Sequence, residues 1–273
     1  SDIPDNLVNK EIFKKQMEDL HNSFSAKIKD TSAIDKTSST NQENDSIGNI
    51  KEFDIKTPSY LQEVYTWAYL NPKNVKLLDR NLVVHILLFF NANRLIRSYL
   101  QEVKAGNSML QIAHVYGDMT PRLAKKIGPN GRLDLIDVAK VQLAHAYKKL
   151  KDFNYVDMWQ QDATVGYHRD YDIVGSFFLI HEVPMKAKVA IIDNMLQQVE
   201  HNNAKAVFID YHRPSTFHPL RPIMKLVNTF LEPFANELWE YNIQDLAKEP
   251  SKFNWTKTTF FGGMYQKVVV TKK

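Results

Sequence analysis

The residue types able to do chemistry in this chain cluster at the ends of short apolar runs. Asp137 closes Leu133-Asp-Leu-Ile-Asp137, Asp162-Ala163 follows a third run, His181-Glu182 follows Phe177-Phe-Leu-Ile180, and Asp210-Tyr211-His212 follows a fifth. An imidazole beside a carboxylate can serve as a base or as a divalent-metal ligand. Upstream, Met109-Leu-Gln-Ile-Ala-His-Val-Tyr-Gly-Asp118 reads as a buried strand running into a tight turn whose single glycine opens a helix. Strand, glycine turn, helix and a second strand ending in an acid is how open α/β sheets hold an adenosine-containing cofactor. Backbone amides face the ligand and the carboxylate takes the ribose hydroxyls.

On that reading Gln111, Ala113, Tyr116, Gly117, Asp137, Val138, Asp162 and Ala163 are the expected cofactor contacts. Asp137 reaches the ribose diol, and Asp162 accepts from the adenine amino group. Enzymes of the doubly wound type that use S-adenosylmethionine (SAM) commonly carry acid-x-Gly-x-Gly-x-Gly at the first turn. Here those positions are Gln111, Ala113, Val115 and Gly117, so one glycine of three survives and the acid is an amide. Two ordinary core strands of another α/β domain are the alternative.

The elements that must position these residues follow from periodicity. Strands are expected at 109–113, 132–136, 155–159, 171–178, 206–210, 256–261 and 265–271, with helices near 119–127, 140–150 and 186–200. Seven strands closing in an antiparallel pair, with Gly262-Gly263 at the last hairpin, match the sheet order typical of SAM-dependent methyltransferases, so the expected fold class is α/β, the class I SAM-methyltransferase (Rossmann-like) sheet. Its SAM-binding domain is set at 105–273, with a helical lid insertion at 213–240. Prolines punctuate that insertion, and Ile223, Met224, Val227, Phe230, Leu231 and Phe234 give it an apolar face.

Residues 58–104 read as helices facing substrate or membrane, and Tyr65, Trp67 and Tyr69 would pack on a flat ring or on leucines. Leu82 to Phe90 is nearly continuous apolar sequence, suited to a buried helix or to one lying in a lipid interface. Residues 1–57 form a polar extension, with a disordered linker expected at about 22–52 because so few apolar residues cannot offset the ordering entropy.

Charge is uneven: residues 1–55 hold 11 acids and 7 bases, leaving 20 acids and 28 bases beyond. A basic body favours an anionic surface such as phospholipid headgroups. Its bases are scattered rather than interleaved with aromatics, so nucleic acid is not an expected partner. No apolar run approaches the ~20 residues of a membrane span. The chain has no cysteine, which excludes a disulfide framework, a thiolate zinc site and cysteine nucleophilic catalysis. Gly-x-x-x-x-Gly-Lys, Gly-x-Ser-x-Gly and His-Glu-x-x-His are absent, so phosphoryl transfer, serine hydrolysis and zinc proteolysis have no support.

Four segments carry a closer resemblance: Tyr60-Leu-Gln-Glu-Val-Tyr-Thr-Trp-Ala-Tyr-Leu-Asn-Pro72, Val115-Tyr-Gly-Asp-Met-Thr-Pro-Arg122, His181-Glu-Val-Pro184, and His218-Pro-Leu-Arg-Pro222 with Leu231-Glu-Pro-Phe234. Across about residues 58–271 the chain resembles the RquA family of rhodoquinone biosynthesis proteins, in which the irregular turn is itself a family trait. The resemblance implies a methyltransferase fold put to a different use. Ubiquinone becomes rhodoquinone by exchange of a ring methoxy group for an amino group, with SAM as amino donor and a divalent metal, manganese, assisting.

It also implies Tyr116, Asp118 and His181 as catalytic residues and Asp118, His181 and Glu182 as metal ligands; Tyr211 and His212, in the polar cluster after the fifth strand, are the expected substrate contacts beside them. Ubiquinone is dissolved in lipid, so peripheral membrane contact is implied. The site would be the matrix face of the mitochondrial inner membrane, or the cytoplasmic face of a bacterial inner membrane. An oligomer is compatible with all of this. A conventional SAM methyltransferase acting on a hydrophobic small molecule, with His181 or Tyr116 as base, is the alternative. A noncatalytic module of the same fold is a third reading.

Overall fold

The computed structural model describes residues 50–52, 88, 90–222, 224–225 and 236–273. Runs such as Met109-Leu-Gln-Ile112 and Ile173-Val-Gly-Ser-Phe177 are buried at every position, because a parallel strand covered by helices on both faces has no solvent side. Among the described residues eight strands result: β1 (Ile50–Glu52), β2 (Ser108–Ile112), β3 (Arg132–Asp137), β4 (Val156–Gln160), β5 (Ile173–Phe177), β6 (Lys205–Tyr211), β7 (Phe253–Phe260) and β8 (Tyr265–Lys272). They lie in the order β1-β4-β3-β2-β5-β6-β8-β7, parallel except for β8, which is antiparallel to both neighbours.

The seven expected strands all form, with β7 beginning at Phe253, earlier than expected. The eighth, β1, pairs Ile50 with Met158 and Glu52 with Gln160. It falls inside the stretch expected to be a disordered linker, so that expectation does not hold for 50–52. The rest of the linker and extension, most of the helical segment 58–104, and much of the lid lie outside the described residues.

Helices α1 (Ala92–Leu100), α2 (Met119–Ile127) and α3 (Lys140–Leu150) cover one face, and α4 (Met185–Asn202) covers the other. In α1 the buried residues Ala92, Leu95, Ile96 and Tyr99 fall at i, i+3, i+4 and i+7 and meet Met109 and Phe177 in one core. In α4, Ile191, Met195 and Val199 pack on Leu110, Val174 and Phe208 in the second core. Asn203 stops α4 in the left-handed conformation (φ 54°), one that Asn tolerates better than most residues.

β2 pairs with β3 on one side and β5 on the other, so chain direction across the sheet reverses between β2 and β5. Such a switch point leaves a crevice beyond the carboxyl ends of the strands.

Candidate cofactor and catalytic site

A cleft opens at that switch point, and its walls come from the four turns that follow β2, β3, β4 and β5. After β2 the chain bends at Ala113, whose φ of 65° is left-handed. This bend aims the His114 N–H at Asp137 Oδ2 (2.9 Å), while the Ala139 N–H donates to Asp137 Oδ1 (2.9 Å). Burial pushes the Asp137 carboxyl up to about 6, despite the opposing amides of Ala139, His114 and Val138. A carboxylate has about four acceptor positions, so beyond these three amides at least one remains for the hydroxyls of a vicinal diol.

Asp162 lies on the same cleft; its Oδ1 accepts from the Thr164 N–H (2.8 Å), and Asn194 ties the next carbonyl, Ala163 O, to α4 (3.0 Å). Ile112, Ile136, Val138, Ala163 and Ile191 supply apolar walls. An apolar slot carrying two carboxylates fits a nucleoside: flat base against aliphatics, diol on Asp137. Ala113, Asp137, Val138, Asp162 and Ala163 of the expected contacts thus line one cleft.

Gln111, Tyr116 and Gly117 are not among its lining residues. Gln111 is fully buried beneath the turn, where its Oε1 accepts from Tyr99 Oη (2.7 Å). Its Nε2 donates to the carbonyls of Ile112 (3.1 Å) and Ala113 (3.4 Å). Tyr116 reaches the cleft through Gln142, whose Nε2 donates to Tyr116 Oη (2.9 Å) and whose Oε1 is 2.8 Å from His114 Nδ1. Gly117 takes φ 82°, and its carbonyl accepts from Lys149 Nζ (3.0 Å). His114 and Gln142 line the cleft, yet nothing in the sequence pattern pointed to them.

The His181-Glu182 pair occupies a single 3₁₀ turn (Ile180–Glu182) after β5, with Glu182 on the cleft wall and His181 buried behind it. His181 Nδ1 is 2.8 Å from Asp210 Oδ1 at the end of β6. Asp210 is fully buried, and its oxygens also accept the N–H groups of Ile180 (2.8 Å) and Tyr211 (2.8 Å). A carboxylate surrounded by donors requires Nδ1–H, which leaves Nε2 as the basic nitrogen; it lies 3.7 Å from Glu182 Oε1. This imidazole is therefore oriented on one side and offered a counter-charge on the other. Behind the turn, buried Lys188 donates to Val183 O (2.5 Å) and pairs with Glu237 Oε2 (2.9 Å); its burial lowers the ammonium's affinity for its proton.

Aromatic rings crowd the dyad. Tyr211 stands edge-on to His181 (4.6 Å between centroids), Phe178 contacts both Tyr211 (5.1 Å) and Tyr265 (5.8 Å), and Phe261 stacks near Tyr265 (6.2 Å). Phe178 (φ 56°) and Phe261 (φ 48°) both hold left-handed backbones, a strain of roughly 1–3 kcal/mol each that concentrates at functional sites. His212, in contrast, is bound to the last hairpin through Gly263 O (2.8 Å) and Met264 O (2.8 Å). It latches a turn and does not join the ring cluster by any of these contacts. Tyr65, Trp67 and Tyr69 lie outside the described residues.

Of the three residues expected to hold a metal, Asp118 stands at the start of α2, 3.8 Å from Arg122. His181 and Glu182 lie together after β5, and the contact of Nδ1 with Asp210 leaves Nε2 of the imidazole on the side of Glu182. Among the described residues no three His, Asp or Glu side chains are grouped to hold an ion.

Strand order, switch point and the acid ending β3 together decide the architecture. The fold is that of the class I SAM-dependent methyltransferases. A profile of the ubiE/COQ5 methyltransferase family matches residues 83–199, less than half of the chain. Among solved structures, the chain is similar to the mitomycin 7-O-methyltransferase MmcR (TM-score 0.56, 14% identity, 74% of this chain and 58% of that one). It is similar also to an O-methyltransferase family protein from Burkholderia thailandensis (TM-score 0.54, 9% identity, 70% and 59%). A third is the pyocyanin biosynthetic protein PhzM (TM-score 0.52, 14% identity, 70% and 58%). The chain therefore spans under two thirds of the length of these proteins, and identities this low speak for fold alone. No curated protein sequence matches it.

Proposed function

We propose that this protein is a SAM-dependent transferase that methylates an acceptor oxygen on a hydrophobic, ring-bearing small molecule. The observation that carries the proposal is the His181–Asp210 dyad one residue from the wall of a cleft bearing Asp137 and Asp162. Asp137 holds the ribose diol, Asp162 meets the adenine amino group, and the aliphatic walls cover the base. Bound there, SAM supplies an electrophilic methyl group on its sulfonium.

The chain's own part is acid–base and positional. His181 Nε2 takes the acceptor hydroxyl proton, Asp210 stabilises the imidazolium through Nδ1–H, and Glu182 adds a second negative charge. Positioned proton transfer of this kind contributes about 10²–10⁴ in rate. The rings of Phe178 and Tyr211 offer a flat acceptor an apolar face beside that nitrogen.

A second reading is favoured by one observation: Gln111, an amide turned toward the turn carbonyls, stands where SAM enzymes commonly carry an acid. Together with the resemblance to the RquA family, it supports a different outcome with the same cofactor, in which a ubiquinone methoxy group is exchanged for amino. On that reading the protein works at a membrane surface, the mitochondrial inner membrane in a eukaryote. Among the described residues no helix is long and apolar enough to cross a membrane.

Incubation of the full chain with SAM and a short-chain ubiquinone or its hydroxyl-bearing precursor, followed by mass spectrometry, separates the two. Gain of a methyl group with S-adenosylhomocysteine (SAH) formed supports methylation. Exchange of methoxy for amino supports the second reading, and neither product with either substrate counts against both.

A further inference from the structure

The cofactor turn lacks two of its usual glycines and its acid, yet it is held in a shape that delivers an amide to Asp137. The contacts trace how. Tyr99 on α1 donates to Gln111 Oε1 (2.7 Å), and Gln111 Nε2 donates to the carbonyls of Ile112 (3.1 Å) and Ala113 (3.4 Å). Ala113 sits at φ 65°, and the next N–H, of His114, lands on Asp137 Oδ2 (2.9 Å). Both Tyr99 and Gln111 are wholly buried, so each of these polar atoms must find its partner inside the protein.

Chemistry fixes which residue can stand at 111. The side chain must accept from a phenol at one end and donate to two carbonyls at the other, which an amide does and a carboxylate does not. The space for this brace is also built in. A Cβ on Gly175 would stand 1.8 Å from Tyr99 Oη, so a glycine on β5 makes room for the hydroxyl. Residue 113 supplies the reason a brace is needed, since a left-handed alanine is disfavoured where glycine would be at ease.

We propose that Tyr99 and Gln111 are positioning residues for cofactor binding: a buried relay that holds Ala113 left-handed and so keeps the His114 amide on Asp137. The relay does through side chains what glycines do elsewhere through backbone freedom. This inference rests on the reading of the cleft as the SAM site, and Tyr99 itself touches no ligand.

The test is a double-variant cycle on the full chain, reading SAH affinity by calorimetry. Tyr99→Phe removes one hydrogen bond and weakens SAH binding about five- to tenfold, the equivalent of a typical buried hydrogen bond. Adding Ala113→Gly removes the backbone strain, so the double variant binds SAH within about twofold of Ala113→Gly alone. A purely packing role for Tyr99 would not be repaired by a distant glycine. Should Tyr99→Phe fail to fold, Gln111→Met enters the same cycle with the same expectation. If wild type binds SAH and the Tyr99 variant binds equally, or if its loss persists when Ala113→Gly is added, the relay is wrong while the SAM site stands. If wild type itself fails to bind SAH, both fall.

Discussion

Asp137 is the residue at which binding and titration meet. Its carboxyl lies above the ordinary 3.8, at about 6, because burial disfavours its charge. Folding thus favours the protonated acid: the stability it contributes is full below about 3.8 and is lost as pH rises through about 6. Ribose hydroxyls donate to the ionised form, so SAH affinity should run the opposite way, weakening as pH falls below about 6. Titrations from about pH 5 to 8 check this, and Asp137→Asn should flatten the profile. A wild-type affinity level across that range would contradict the assignment. His181 carries the complementary expectation. If the imidazole serves the acceptor as proposed, His181→Ala should lower kcat by about 10²–10⁴ while leaving SAH affinity nearly intact. Loss of both in parallel would make His181 a cofactor residue instead.

At the scale of elements, the turn after β5 is anchored to the segment following the insertion by Lys188 and Glu237. Removing one partner of a buried pair costs about 3–5 kcal/mol; with Glu237 still 29% exposed, Glu237→Ala should cost about 2–3. Lys188→Met should cost far less, because an apolar side chain of similar length suits the site. Urea midpoints compare them, and equal losses would argue against a buried ammonium deprived of its counter-charge as the cause. Gly175→Ala should destabilise by at least ~1–3 kcal/mol through overpacking against Tyr99, read in the same way.

The same elements mark what a sequence reveals. β2 and β5 were legible because parallel strands buried on both faces read as unbroken apolar runs, and α2 and α3 because their apolar spacing is helical. Asp137 and Asp162 were legible from position alone, one ending β3 and the other just after β4. β1 was not: Ile50-Lys-Glu52 is short and polar, and only its pairing with β4 makes it a strand. Tyr99, Gln142 and Lys149 were equally hidden, since they act on the turn from helices distant in sequence. The neighbouring His181 and Glu182 were legible as a polar pair, but that Asp210, 29 residues on, orients the imidazole was not.

At the scale of the whole sheet, the two apolar cores formed by the described residues lie on its opposite faces and fix the strands, and the cleft opens where strand order reverses. Ligand bound at that edge contacts the turns after β2, β3, β4 and β5 at once, so it should stabilise the folded chain as a unit. Saturation near 100 times Kd is worth about 2.7 kcal/mol, or about 5–10 °C in unfolding midpoint for a domain of this size. If the membrane reading is right, the full chain should also float with anionic liposomes and detach as salt screens its basic body. Equal flotation with neutral liposomes would remove charge from that account.

Calorimetric titration of the full chain with SAH at neutral pH, wild type beside Asp137→Asn, bears most directly on the adenosyl site. The structure predicts saturable one-to-one binding by wild type and a loss of at least about tenfold in the variant, the weight of charge-assisted hydrogen bonds to a diol. Absence of binding by wild type, or equal affinity in both proteins, would contradict it.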